Sequence, residues 1–246
     1  MANWNDTERT REGFGSVPRA GGDVAGVSYD EGLRSYMLSI YNYMCSAVLL
    51  TGIVALVSAE SGLTMAIMST PLMWLVALAP LGFILAMSFG LNRMSQGTLQ
   101  VLFWAFAVIM GLSMSTIFLR FTNESIALTF FATAGAFAGL SLFGYTTKKD
   151  LSGFGTFLIM GVVGLIIASI LNIFLQSGPL AFVISGVGVL IFAGLTAYDT
   201  QMLKNQYAYV RGTEFMGKAV IMGALNLYLD FVNMFMFLLN FLGSEE

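Results

Sequence analysis

From Met37 onward, long apolar runs alternate with short polar connectors, and none of the runs shows the period-2 alternation of a half-buried strand. Seven runs reach the roughly twenty residues that a helix needs to cross ~30 Å of hydrocarbon. They are 37–59, 72–91, 98–118, 125–145, 155–175, 180–200 and 220–241. Strands of a membrane barrel would instead show segments of about ten residues with alternating polarity, and a stretch such as Leu158 to Leu171 does not alternate. The pattern predicts an all-α integral membrane protein with seven transmembrane helices. Residues 1–32 are polar and glycine-rich and lack the apolar core of a signal peptide. They read as a flexible cytoplasmic tail ahead of a transmembrane domain over 33–246.

Composition agrees: the chain is 57% hydrophobic and only 10% charged, whereas a water-soluble domain carries about 25% charged residues. Histidine is absent, which removes the Ser-His dyad, the His-bearing zinc site and the histidine proton relay. The single cysteine, Cys45, allows no intrachain disulfide and reads as a small buried hydrophobe. The 16 methionines and 21 phenylalanines read as lipid-facing or core filler, so no cofactor is expected. A net charge of −3 offers no basic surface for nucleic acid.

Of the 11 basic and 14 acidic side chains, only Asp199 and Asp230 fall inside the seven spans. Positive residues in short loops stay on the cytoplasmic side. With the N-terminus inside, that side holds Arg9, Arg11, Arg19, Arg34, Arg93, Lys148, Lys149, Lys204, Arg211 and Lys218, and the other holds Arg120 alone. The expected location is the cell's inner membrane, multi-pass, with a cytoplasmic N-terminus. Charge counting leaves open whether the seventh run crosses fully or re-enters, because the tail after it has neither Lys nor Arg. Within the spans, Gly135 and Gly139 form a GxxxG pair, and Gly161, Gly164, Gly186, Gly188 and Gly194 repeat the theme of close helix packing. Pro80 should kink span 2, since proline removes a backbone hydrogen bond.

An ionisable side chain in the bilayer centre costs ~2.5–3.5 kcal/mol on insertion scales, so each is a functional signal by default. Asp199 lies near the cytoplasmic end of span 6, and Asp230 lies near the middle of span 7. Asn226 and Asn233, at i−4 and i+3 from Asp230, share its helix face and are candidate pore-lining residues. The alternative is structural: Asp199 reaches the interface and Asp230 serves as polar glue between helices.

The segments Ala197-Tyr198-Asp199-Thr200-Gln201 and Leu227-Tyr228-Leu229-Asp230-Phe231-Val232-Asn233 resemble signatures of the Bax inhibitor-1 family. So do Lys148-Lys149-Asp150-Leu151-Ser152 and Asn172-Ile173-Phe174. The resemblance covers all seven spans and leaves out the N-terminal tail. It implies six helices around the C-terminal one and a pH-sensitive calcium leak, in which aspartates of the sixth and seventh helices share a proton and gate a pore. Asp199 and Asp230 match that pair. An arginine of the second helix can latch one of the aspartates; Arg93 is the only basic residue near the end of span 2, and the other reading is that it anchors its helix to phosphate headgroups.

Calcium is thus expected as the transported ion. Calcium prefers six to eight oxygens, and Asp199, Asp230, Asn226 and Asn233 reach the low end of that range only if every one of their oxygens binds, so its binding should be weak and transient. Family resemblance also suggests a rival role, regulation of a membrane-bound AAA protease without transport, with residues 1–32 as the handle. An intramembrane aspartyl protease would require Gly-x-Gly-Asp where this chain reads Leu227-Tyr228-Leu229-Asp230, so no enzyme activity is expected. A receptor or scaffold remains open.

Overall fold

A computed structural model describes residues 20–244, with side chains from Tyr29 onward. Its helices are α1 (Ala20–Glu60), α2 (Leu63–Met68), α3 (Leu72–Gly90), α4 (Gln96–Met114), α5 (Asn123–Thr146), α6 (Ser152–Leu175), α7 (Gly178–Val210) and α8 (Met216–Leu242), with a 3₁₀ turn at Ser115–Leu119 after α4. Seven of them, all except the six-residue α2, are long and apolar enough to cross a membrane. The described residues contain no strand. By contacts the chain divides into Met1–Ser35 and Tyr36–Glu246. The first unit, where described, is the opening turns of α1, and residues 1–19 of the expected tail lie outside the described residues. The second unit is the helical bundle.

The helix ends follow from local chemistry. Ser95, Thr122 and Ser177 each accept a hydrogen bond from the backbone N–H three residues on, capping α4, α5 and α7. Gly62 and Gly212 take positive φ, of 76° and 73°, in the turns after α1 and α7, where a side chain would be strained. The connectors are short, so successive spanning helices run antiparallel. Proline at position 80 is buried within α3, which continues through it.

Burial identifies the central helix. In α8, 67% of the most apolar stretch is buried, against 11% in α3 and α6. α1, α4, α5 and α7 pack on it directly. Tyr228 of α8 hydrogen-bonds Thr51 of α1 (2.8 Å) and meets Phe106 of α4 edge-on at 5.2 Å. Phe231 meets Phe130 and Phe137 of α5 at 5.6 Å, and Phe237 stacks on Phe192 of α7. α3 packs on α4, and α6 packs on α7. The outer faces of α3 and α6 expose Trp74, Leu75, Phe89, Met160, Ile173 and Phe174, as expected for helices whose solvent is hydrocarbon.

Four expectations need correction. Span 6 does not end at 200: α7 runs to Val210, because the polar residues after Asp199 continue the helix and bond to neighbouring elements. Gly135 and Gly139 have nothing within 4 Å of a notional Cβ and lie on the open side of α5; the packed side carries Thr133, Phe137 and Gly144 instead. Gly164 is likewise open. Cys45 is exposed on α1, whose inward positions nearby are Met44 and Ala47. The remaining glycines do serve packing, but as sockets for side chains. Gly161 receives Ile191, Gly194 receives Leu158, Gly186 faces Phe241, and Gly188 receives Phe237.

The re-entrant alternative also falls away. At the start of α8, Lys218 donates to the Leu91 carbonyl beyond α3 (3.2 Å). At its end, the Ser244 carbonyl accepts from the Thr122 N–H and the Ser244 N–H donates to Ser125 Oγ, both at the α4–α5 turn. Helix α8 therefore traverses the whole bundle.

Candidate functional site

Asp199 and Asp230 stand on α7 and α8, which are joined by a tight turn at Gly212 and pack along their length. At 1.5 Å per residue, Asp199 lies about 16 Å from the Val210 end of α7 and Asp230 about 21 Å from the Met216 end of α8. The antiparallel pair thus holds both carboxylates at similar depth, within about a turn of each other. Asp230 is 4% exposed, and its Oδ2 is buried with no hydrogen-bond partner. Asp199 is half-buried. Among the described residues no basic side chain pairs with either, and no third acidic residue, histidine or cysteine joins them into a cluster.

The surroundings of Asp199 are fixed from three directions. Gly144 of α5 lies so close to the Ala197 carbonyl that any side chain there would run into it, so α5 and α7 approach backbone to backbone beside the aspartate. Gly155 of α6 leaves room for the Tyr198 ring. Thr200 donates to Ser141 of α5 at 3.3 Å.

Two residues after Asp199, Gln201 clamps the α5–α6 connector: its Oε1 accepts from the Leu151 N–H and its Nε2 donates to the Lys149 carbonyl, both at 2.8 Å. Lys204 donates to the Tyr145 carbonyl at the end of α5 (2.7 Å) and lies over that tyrosine's ring. Sequence reasoning missed Gln201 and Lys204 as site supports because it placed them in a loop. The usable signal is their spacing of three from each other, which puts both on one face of a helix continued past Asp199.

The two asparagines part company. Asn226 opens into a crevice of about 430 Å³ between α7, α8 and the start of α6, together with Ser152, Tyr198, Gln201, Asn205 and Gln206. Asn233 donates to the Leu229 carbonyl of its own helix at 2.8 Å. Arg93 is exposed in the turn between α3 and α4, where its N–H donates to the Gly90 carbonyl; among the described residues no ion pair joins it to Asp199. A paired carboxylate site in mid-bundle, with polar space on one side, can bind and release protons and attract cations.

The family model described as "Inhibitor of apoptosis-promoting Bax1" matches residues 33–246. The chain belongs to the Bax inhibitor-1 family. It is 47% identical over 235 residues to an uncharacterized Caulobacter vibrioides protein, covering 91% of this chain and 94% of that one. It is 45% identical over 221 residues to an uncharacterized Rickettsia prowazekii protein (89% and 93% covered). It is 42% identical over 219 residues to Escherichia coli K12 "Inner membrane protein YbhL" (87% and 94%). The match spans the bundle that holds Asp199 and Asp230, so this Bax inhibitor-1 family member is a multi-pass membrane protein with an all-helical fold.

Proposed function

We propose that this protein is a pH-sensitive calcium leak of the inner membrane, oriented with its N-terminus in the cytoplasm and gated by Asp199 and Asp230. The observation that carries the reading is the buried, unpartnered Oδ2 of Asp230, on a helix packed against the one that bears a second carboxylate at similar depth. A charged group held this way is costly unless it serves a purpose, and two such groups exchange a proton more readily than they both ionise. With no third acidic ligand among the described residues, the pair supplies too few oxygens to store calcium, which suits passage over retention. The inner-membrane setting draws on the E. coli relative's name.

Purified full-length protein in calcium-loaded liposomes should release the ion in a pH-dependent way between about pH 5 and 8, the range in which a raised carboxylate would act. Asp199→Asn and Asp230→Asn should each flatten that dependence. If both variants keep the parent profile, the aspartates are structural. Absence of release above protein-free liposomes at every pH would sink transport and favour the protease-regulator reading, which deletion of residues 1–32 would then test, since a gripped tail would be lost while a pore would survive.

Arg93 belongs to this reading as a latch that pairs with ionised Asp199 in one state of the gate and lets go as pH falls, because protonation removes the charge it holds. Non-additive effects of Arg93→Ala and Asp199→Asn on flux would support the latch. Strict additivity would leave Arg93 as a headgroup anchor.

A further inference from the structure

The crevice beside Asn226 lies at the opposite end of the bundle from the other polar crevice, which Thr122, Glu124, Ser125 and Ser244 line at the α4–α5 turn. Its polar lining comes from uncharged groups: the amides of Gln201, Asn205, Gln206 and Asn226 and the hydroxyls of Ser152 and Tyr198. All of them lie toward the end of the bundle where α7 turns into α8. Gln201 is already committed to the α5–α6 connector. The amides of Asn205, Gln206 and Asn226 make no hydrogen bond with other described residues. Asn205 is exposed, Gln206 half-buried, and Asn226 half-buried about 15 Å along α8 from Met216. An amide at that depth needs partners, and hydrocarbon has none to give. Water admitted from the α7–α8 turn supplies them, and the crevice has room for several molecules.

Beyond Asp230 the bundle changes character. Phe235 and Leu239 of α8 pack with Ile117, Phe121 and Ile126, and Met114, Phe118, Phe130 and Met236 close around them. Asn233, the one amide just past Asp230, is tied to its own backbone.

We propose that the crevice is a water-filled vestibule that gives Asp230 access from one side only, the end bearing the α7–α8 turn, with Asn226 as its innermost ligand, while beyond Asp230 the space beside Phe231 and Phe235 is a mainly apolar cavity of about 500 Å³ that gives a hydrated ion little to bind. Asn226 stands one helical turn from Asp230 on the same face of α8, so a cation or hydronium entering the vestibule meets neutral oxygens first and the carboxylate last. Neutral carbonyl and hydroxyl oxygens replace part of a cation's hydration shell without trapping it. The proposal rests on the leak reading and deepens it by assigning the route and side of entry.

The test uses cysteine accessibility in the full chain, with Cys45→Ala as background. Asn205→Cys, Gln206→Cys, Asn226→Cys and Phe235→Cys are made singly, reconstituted in liposomes of known orientation and exposed to a charged, membrane-impermeant thiol reagent on either side. Asn205→Cys, Gln206→Cys and Asn226→Cys should be modified from the α7–α8 turn side alone, and Phe235→Cys from neither side until the protein is unfolded in detergent. Protection of both Gln206→Cys and Asn226→Cys while Asn205→Cys reacts would overturn the vestibule, as would modification of Asn226→Cys from the opposite side. Reaction of Gln206→Cys, which sits nearer the surface, keeps the test decisive if Asn226→Cys misfolds. Modification needs no flux, so an intact labelling pattern with no calcium release would defeat the leak and leave the vestibule standing, and the reverse result would do the opposite.

Discussion

The two halves of the bundle on either side of Asp230 are built from the same helices and obey different rules. Toward the α7–α8 turn, α7 carries Tyr198, Gln201, Lys204, Asn205 and Gln206, and these side chains hold connectors or line an open crevice. Toward the α4–α5 turn, the same central helix presents Phe231, Phe235 and Leu239, which pack mainly against phenylalanines and methionines. Near the boundary, Tyr228 bonds Thr51, which in turn donates to the Ala107 carbonyl, so α8, α1 and α4 are pinned at one level. The difference teaches that the two halves hold their helices together by different means. In the polar half, helix contacts are specified by hydrogen bonds and backbone approach; in the apolar half, lipid is as good a solvent as a neighbouring helix, so only fit holds the contact.

The sharpest way to break this division is to open a hole in the apolar half. Leu239 is fully buried, and Leu239→Ala should lower stability by about 2 kcal/mol or more, since the vacated space loses its contacts whatever the surrounding solvent. Asn226→Ala in the crevice should cost less than about 1 kcal/mol, because water takes the place of the amide. Thermal unfolding of both variants in the same detergent makes the comparison; equal losses would mean that the halves do not differ in packing.

A second, smaller contrast lies within α5. Gly144→Ala should cost about 1–3 kcal/mol by forcing α5 away from the Ala197 carbonyl. Gly135→Ala, on the open side of the same helix, should be neutral within about 0.5 kcal/mol. A matched loss at both positions would show that glycine acts through helix flexibility and not through the crossing with α7.

The smallest expected effect is at the polar end. The Ser152 hydroxyl donates to Asp150 Oδ1 at 2.6 Å and the Ser152 N–H at 2.9 Å, and together they hold this carboxyl below its ordinary value of 3.8. A carboxyl depressed in the folded state stabilises it above the unfolded value and ceases to as pH falls through the folded one. Comparing Asp150→Asn with the parent should therefore show a slight deficit at neutral pH that shrinks below about pH 4. Asp150 is fully exposed, and a deficit that grows on acidification would contradict this account.

How much could be read in advance varies by residue. The spans at 72–91, 98–118, 125–145, 155–175 and 220–241 fall within a few residues of α3, α4 with its 3₁₀ turn, α5, α6 and α8, because hydrocarbon demands unbroken apolar length and sequence displays length directly. The prominence of Asp199 and Asp230 was legible for the same reason: charge is conspicuous where everything else is apolar. The end of span 6 was not. Polar residues after Asp199 look like a connector when they are the last three turns of α7, since hydropathy cannot separate a loop from a helix that has left hydrocarbon and turned to protein and water. The GxxxG pair at Gly135 and Gly139 misled in the opposite sense. Small residues permit close approach, but only the partner's position makes use of it, and the partner lies over Gly144.

The amino-acid sequence by itself determined that the chain forms seven membrane-spanning helices, which short connectors oblige to alternate in direction, and that two carboxylates are placed inside them. Those outcomes depend on local apolar length, on composition and on backbone hydrogen bonds that hydrocarbon forces each segment to satisfy internally. Tertiary structure alone decided which helix stands at the centre, that α8 crosses completely, that the two carboxylates stand on neighbouring packed helices, and that Asn226 faces a crevice while Asn233 turns to its own backbone. These depend on which faces meet. Between helices of similar hydrophobicity in a hydrocarbon solvent, that choice is made by the fit of glycines, aromatic rings and a few hydrogen bonds from different parts of the chain.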